Sequence, residues 1–220
     1  MKHFLYCLIG LFYITTPAQA ALIDSYGPTS TNWNHVFTLD GFDTFGGTRT
    51  LTSALLTFTG DIFSTIRVES LDAAPATVTA TAQGQVTFSG IPNSAPNVIL
   101  LPLLSSSKAL TAFDGTIDWG GTSGYNFGVL HASDSGTKLF SLPADLSFFS
   151  GTPSFNLNAA NMAFSGASGS GNLITWITTT GAASVSVAYI WIPVVPIPIP
   201  ATAALLCIGL LGMISLHRKT

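Results

Sequence analysis

Cysteine is almost absent from this 220-residue chain: Cys7 and Cys207 are the only two, and each sits inside an apolar run at one end. The stretch between those runs can hold no disulfide and no thiolate metal site. Small exported domains often lean on disulfides, but a stretch this long buries enough apolar surface without them. Charge is scarce too, at 8 % of residues. Bases are the rarer sign. Between residues 21 and 192 only Arg49, Arg67, Lys108 and Lys138 face ten acids, a net charge of −6. Without a basic cluster, that balance argues against nucleic acid as a partner and against docking on anionic lipid.

Catalytic patterns are missing as well. His35 and His131 are the only histidines in the central stretch, and neither has a second one at ligand spacing, so no zinc site is expected. Each reads as a hydrogen-bonded or surface residue. Ser168 lies in a Gly/Ser run without the Gly-x-Ser-x-Gly spacing of a nucleophile turn. Glu69 is the lone glutamate, and nothing marks it as half of a carboxylate pair. No enzyme, cofactor or metal is expected.

What the chain does have is two apolar ends. Residues 1–20 begin with Lys2 and His3, run apolar from Phe4 to Ile14, and close on Ala18-Gln19-Ala20 after Pro17. Small residues at Ala18 and Ala20 suit signal peptidase, with cleavage before Ala21. The run is too short to span bilayer hydrocarbon. At the other end Pro196, Pro198 and Pro200 alternate, which favours an extended polyproline-like segment. Ala201 to Leu216 is then 16 residues without an ionisable side chain except Cys207. As a helix that is roughly 24 Å at about 1.5 Å per residue, short of the roughly 30 Å hydrocarbon core. Trp191 is placed to help as an interfacial anchor. His217, Arg218 and Lys219 follow at once, and such bases hold that side in the cytoplasm.

This ordered ending resembles the PEP-CTERM sorting signal of Gram-negative exported proteins. The likeness rests on Ile197-Pro198-Ile199-Pro200-Ala201, on Gly209-Leu210-Leu211-Gly212 and on the tail Arg218-Lys219. The proline motif is similar to the Val-Pro-Leu-Pro-Ala variant, which lacks the usual glutamate. The resemblance implies processing by an exosortase, a membrane transpeptidase-like cysteine protease. A plain stop-transfer anchor is the alternative.

Residues 21–192 are patterned for strands. Val185, Val187 and Tyr189 alternate with Ser184, Ser186 and Ala188; Val78 and Ala80 alternate with threonines; Phe155 and Leu157 alternate with Ser154, Asn156 and Asn158. This period of two reads as half-buried strands. Further strands are expected over 34–39, 51–59, 62–69, 85–89, 98–104, 126–130 and 173–179. Turns are expected at Asp40-Gly41, Gly46-Gly47, Gly60-Asp61, Pro92-Asn93, Asp114-Gly115, Gly120-Gly121 and across 166–171. No convincing helical stripe appears. The expected fold is all-β, a jelly-roll-like antiparallel sandwich, flanked by the signal peptide (1–20) and the anchor segment (193–220).

The same stretch resembles the choice-of-anchor E domain, a bacterial surface domain without an assigned activity. The segments that suggest it are 51–60, 68–73, 110–118 and 121–124, with the Gly-Ser-Gly-Asn of 169–172. The likeness carries over no functional residues.

Two patterns invite a ligand. Asp114 and Asp118, like Asp40 and Asp43, flank glycine-bearing steps. Such loops can hold Ca²⁺, but Asp-Gly is first of all turn chemistry, and that reading is preferred. Trp119 beside Gly120-Gly121 is the best exposed face for a sugar, while Trp176 in an apolar strand is expected in the core. The expected role is a structural or interaction protein, made as an inner-membrane-anchored precursor. Its destination is the cell surface, outer membrane or extracellular matrix of a Gram-negative bacterium. The rival is a carbohydrate-binding module acting on exopolysaccharide.

Overall fold

A computed structural model describes residues 22–194 except 93, 94, 152 and 170. Ala18, Ala20 and Ala21, the motif 197–201 and the tail Arg218-Lys219 lie outside the described residues.

Two antiparallel sheets face each other. The first has the order β1 (Leu22–Ser30), β10 (Leu173–Pro193), β3 (Arg49–Ser70), β7 (Gly124–Phe140). The second runs β2 (Trp33–Asp40), β8 (Ser154–Ala163), β4 (Ala76–Ser89), β5 (Val98–Leu100). On β4, β6 (Leu103–Leu110) continues the edge begun by β5, and β9 (Gly166–Gly169) continues the edge begun by β8. The expected all-β, antiparallel, two-sheet arrangement is what the chain adopts.

The strands are longer than the alternation predicts. β3 has 22 residues and β10 has 21. Gly60-Asp61 is not a turn, because β3 runs straight through it. Gly60 faces the second sheet so closely that a Cβ there would meet Val86 Cγ2 at 2.7 Å. Its neighbour Asp61 points outward and pairs with His131. A strand glycine of this kind marks close backbone approach rather than chain reversal. Gly84 on β4 does the same against Ile62, with Cδ1 at 2.6 Å from such a Cβ.

These glycines form a narrow waist between two cores. One core holds Phe37, Leu56, Phe58, Phe88, Phe149, Leu157 and Tyr189, all essentially inaccessible. The other holds Ile62, Ile66, Val68, Val78, Ala80 and Leu110. Each large apolar side chain so buried contributes about 1.5–3 kcal/mol before entropy is counted. The first core is rich in aromatics, and Tyr189 donates its hydroxyl to the Asp40 carbonyl at 2.8 Å. Burial, then the nearby Asp40 charge, raises the Tyr189 pKa.

Three further departures have local causes. β1 has no clean alternation in its sequence, and its pairing with β10 is interrupted between Tyr26 and Thr29, around the Gly27–Pro28 step. The run 166–171 holds β9 instead of being only a loop, because its backbone pairs with Val78–Thr81. A short helix, α1 (Pro143–Phe149), begins on the proline that suits a first turn. It exists to bury Phe149, whose ring sits edge-on to Phe155 at 5.3 Å.

Both ends of the described chain leave toward the same end of the sandwich. Leu22 pairs with Val187, and the Val194 N–H donates to the Thr48 carbonyl at 2.8 Å. This is the exit end, beside the aromatic core. The far end carries the β6–β7 loop, residues 111–123.

Candidate functional site

Three places on the surface gather chemistry-bearing side chains. The first is the far-end loop, and Glu69 organises it. Glu69 closes β3 with its carboxylate fully buried. Oε2 accepts the Trp119 N–H at 2.9 Å, and Oε1 accepts the Ser123 hydroxyl at 2.7 Å. Trp119 is held at φ 60°, an uncommon conformation for a bulky residue. The bond to Glu69 helps fix that strained backbone, which costs about 1 kcal/mol or more on its own. Trp119 is only partly exposed, so its ring is less open than its glycine neighbours suggest.

The acids of this loop serve its own turns. Asp114 Oδ1 accepts both the N–H and the hydroxyl of Thr116, and Asp118 Oδ1 accepts the Gly120 N–H at 2.8 Å. Hydrogen bonds from Thr116 hold the Asp114 carboxyl below its ordinary pKa of 3.8. At the other end Asp43 Oδ1 takes the Phe45 N–H at 2.7 Å in the same way. Turn chemistry therefore accounts for these carboxylates. Among the described residues no group of three or more His, Cys, Asp or Glu side chains could hold a metal ion.

Glu69→Ala should strip an acceptor from two donors at once. Hydrogen bonds to charged groups are worth about 1.5–3 kcal/mol each, so a loss of about 3 kcal/mol is expected. Denaturant unfolding checks the magnitude, and faster amide exchange at Trp119 checks the location. Glu69→Gln keeps one carbonyl acceptor and should lose less. Unchanged exchange at Trp119 would show that the loop stands without Glu69.

The second place is the outer face of the four-stranded sheet. It is paved with hydroxyls: Thr57, Thr59 and Thr65 on β3, Thr178, Ser184 and Ser186 on β10, Ser133, Ser135 and Thr137 on β7. Two aromatic stations interrupt it. Phe63 stacks on His131 at 4.3 Å, and His131 Nε2 lies 2.8 Å from Asp61 Oδ1. Trp176 covers the Arg67 guanidinium at 4.8 Å and is 45 % exposed. Trp176 is thus not in the core: its position on β10 falls on the outward face, in register with Arg67. Apolar neighbours in sequence hid this, because the strand's inward register belongs to the odd-numbered residues.

The third place is the exit end. Arg49 is held between the rings of Phe45 at 3.8 Å and Trp191 at 4.3 Å. Beside it a depression of about 600 Å³ is lined by Leu22, Asp40, Phe42, Asp43 and Phe45 among others.

The remaining candidates are dispersed. His35 stacks on Tyr26 at 4.0 Å and meets Phe37 edge-on. Trp33 is buried, with its Nε1–H directed to the Gly181 carbonyl at 3.3 Å. Ser168 is exposed on β9 opposite Thr79, on different strands from both histidines. The structure brings Glu69 and Trp119 together, a pairing that sequence reasoning missed. Its one signal was a lone glutamate in an otherwise Thr-, Ser- and Leu-rich strand.

No family model matches the chain, and no curated protein is similar to it. Among solved structures, it has a slight likeness to a structure of infectious bursal disease virus Gx strain, at 11 % identity and TM-score 0.16, covering 86 % of this chain and 46 % of that one. The Gt strain structure of the same virus gives 12 % identity and TM-score 0.15, covering 93 % and 52 %. The chain spans about half the length of those chains. Likeness at this level carries no argument about fold or role.

Proposed function

We propose that this is an exported, membrane-anchored precursor of a cell-surface or extracellular-matrix protein, with a jelly-roll-like domain in a structural or interaction role. The observation that supports it best is the shared exit of Leu22 and Val194. A domain whose two ends leave from one side can be tethered there and present everything else. The cleavable leader read at 1–20 precedes that exit, and the proline motif, apolar segment and basic tail follow it. The hydroxyl-paved sheet face, with few charges, suits a passive surface domain better than a catalytic one. The resemblances to the PEP-CTERM signal and to the choice-of-anchor E domain point the same way. Signal peptidase and an exosortase-type enzyme are the partners this reading needs, with no nucleic acid and no cofactor. Mass spectrometry of the protein from its host tests it. The mature form should begin at Ala21 and lack the apolar segment 201–216. Retention of Met1, or of the whole C-terminal segment at the final location, would overturn it.

A second reading, a carbohydrate-binding module acting on exopolysaccharide, is favoured by one observation. Trp176 and the Phe63–His131 pair break an otherwise hydroxyl-rich outer face. Rings among hydroxyls match the apolar faces and hydroxyl rims of sugars. On a glycan array, Trp176→Ala should then weaken binding about tenfold, the size of one good aromatic contact. Loss on Trp119→Ala instead would move the sugar site to the far-end loop. Absence of glycan binding by the unaltered protein would leave the structural role alone.

A further inference from the structure

We infer that the exit end of the domain rests against the membrane surface while the precursor is tethered, seated by apolar contact. This rests on the reading of residues 201–216 as a membrane anchor. The rim of that end exposes four large apolar side chains. Phe45 is 55 % exposed, Leu142 59 %, Ile192 43 % and Val194 47 %. They come from three different segments: the β2–β3 loop, the turn into α1, and the end of β10. Arg49 lies among them with its guanidinium stacked between Phe45 and Trp191. Rings and an arginine stem with a polar head are the side chains that settle at the level of lipid headgroups.

The chain itself says what faces this rim. It leaves at Val194, and the apolar run begins seven residues later at Ala201. An extended proline-rich segment rises about 3.1 Å per residue, so the rim lies within roughly 22 Å of the point where the run enters the bilayer. The opposite end of β3 is about 70 Å further along, at about 3.3 Å per strand residue. Only the exit end can reach the surface without the domain lying down. Charge does not drive the contact: Asp40 and Asp43 sit at the same end as Arg49. Seating is therefore insensitive to salt and to headgroup charge.

The test uses the full chain, with Cys7 and Cys207 replaced by Ser, in vesicles of zwitterionic phosphatidylcholine. The described domain has no cysteine, so single labels can be placed by Phe45→Cys, Ile192→Cys and, as a far-end control, Ile117→Cys. All three positions are exposed, so the fold should tolerate them. A fluorophore at 45 or 192 should be quenched several-fold by nitroxide-bearing lipid and shielded from aqueous iodide. At 117 the pattern should reverse. Equal iodide quenching at all three sites would overturn the inference while vesicle flotation still supported the anchor. Shielding from both quenchers at 45 and 192 would also overturn it, and would mean that protein covers the rim. Failure of the chain to float with the vesicles would remove the anchor reading and the inference with it.

Discussion

Gly84→Val is expected to destabilise the domain by about 3 kcal/mol or more, the upper range for forcing side chains into a packed interior. A Cβ at Gly84 would lie 2.6 Å from Ile62 Cδ1 and 2.7 Å from the Met162 carbonyl oxygen. Ile62 has nowhere to turn, because it is fully buried in the far-end core. Met162 O belongs to β8, which pairs with β4 at that point, so relief there means opening the ladder. Strand preference works in the opposite direction, since valine favours β structure over glycine by up to about 1 kcal/mol. Sterics win because backbone, not a flexible side-chain tip, blocks one side. Gly166→Ala is the control: an added Cβ there meets nothing within 4 Å. It should change stability by no more than about 0.5 kcal/mol. Equilibrium denaturation of the two variants decides the matter. Equal midpoints would mean that the sheets part freely at the waist.

Replacing Pro198 and Pro200 with Ala should abolish C-terminal processing and leave a full-length precursor in the inner membrane. A plain anchor has no need of those two prolines. A protease cutting beside the membrane binds an extended substrate, and prolines supply that shape with less ordering cost. Arg218 and Lys219 should act earlier, by stopping translocation. Neutralising them should let unprocessed chain slip through instead of lodging it. A C-terminal epitope followed across cell fractions reads both outcomes. If the epitope stays on the unaltered protein at its final location, the stop-transfer alternative holds.

Much of the fold was legible because the long strands β3, β4 and β10 have one wet face. Val185, Val187 and Tyr189 announce their inward register by alternating with small and hydroxyl residues, and all three are buried. Strand length was harder to read. Gly60-Asp61 reads as a turn and the strand expected over 85–89 begins only after Gly84, and the opposing sheet reveals both glycines as contact points. Helix α1 was invisible because seven residues cannot display a stripe. At the candidate sites the same limit applied to tryptophan. Trp119 stands in a glycine-rich loop and Trp176 in an apolar strand, yet Trp176 is the more exposed. What decided their places was a buried carboxylate fifty residues from one and the register partner of the other.

The pairing of β10 with β3 has a mechanical consequence. Any pull transmitted through a tether reaches the domain at Pro193, along the axis of β10. That strand is flanked by β1 on one side and by β3 on the other, and its pairing with β3 runs from Leu173 to Pro193 with one register shift between Ile190 and Trp191. Antiparallel ladder bonds lie perpendicular to the strands. If the load is taken up through the far end or the sheet faces, the force shears many bonds together instead of peeling them singly. A domain hung this way resists drag through its longest ladder.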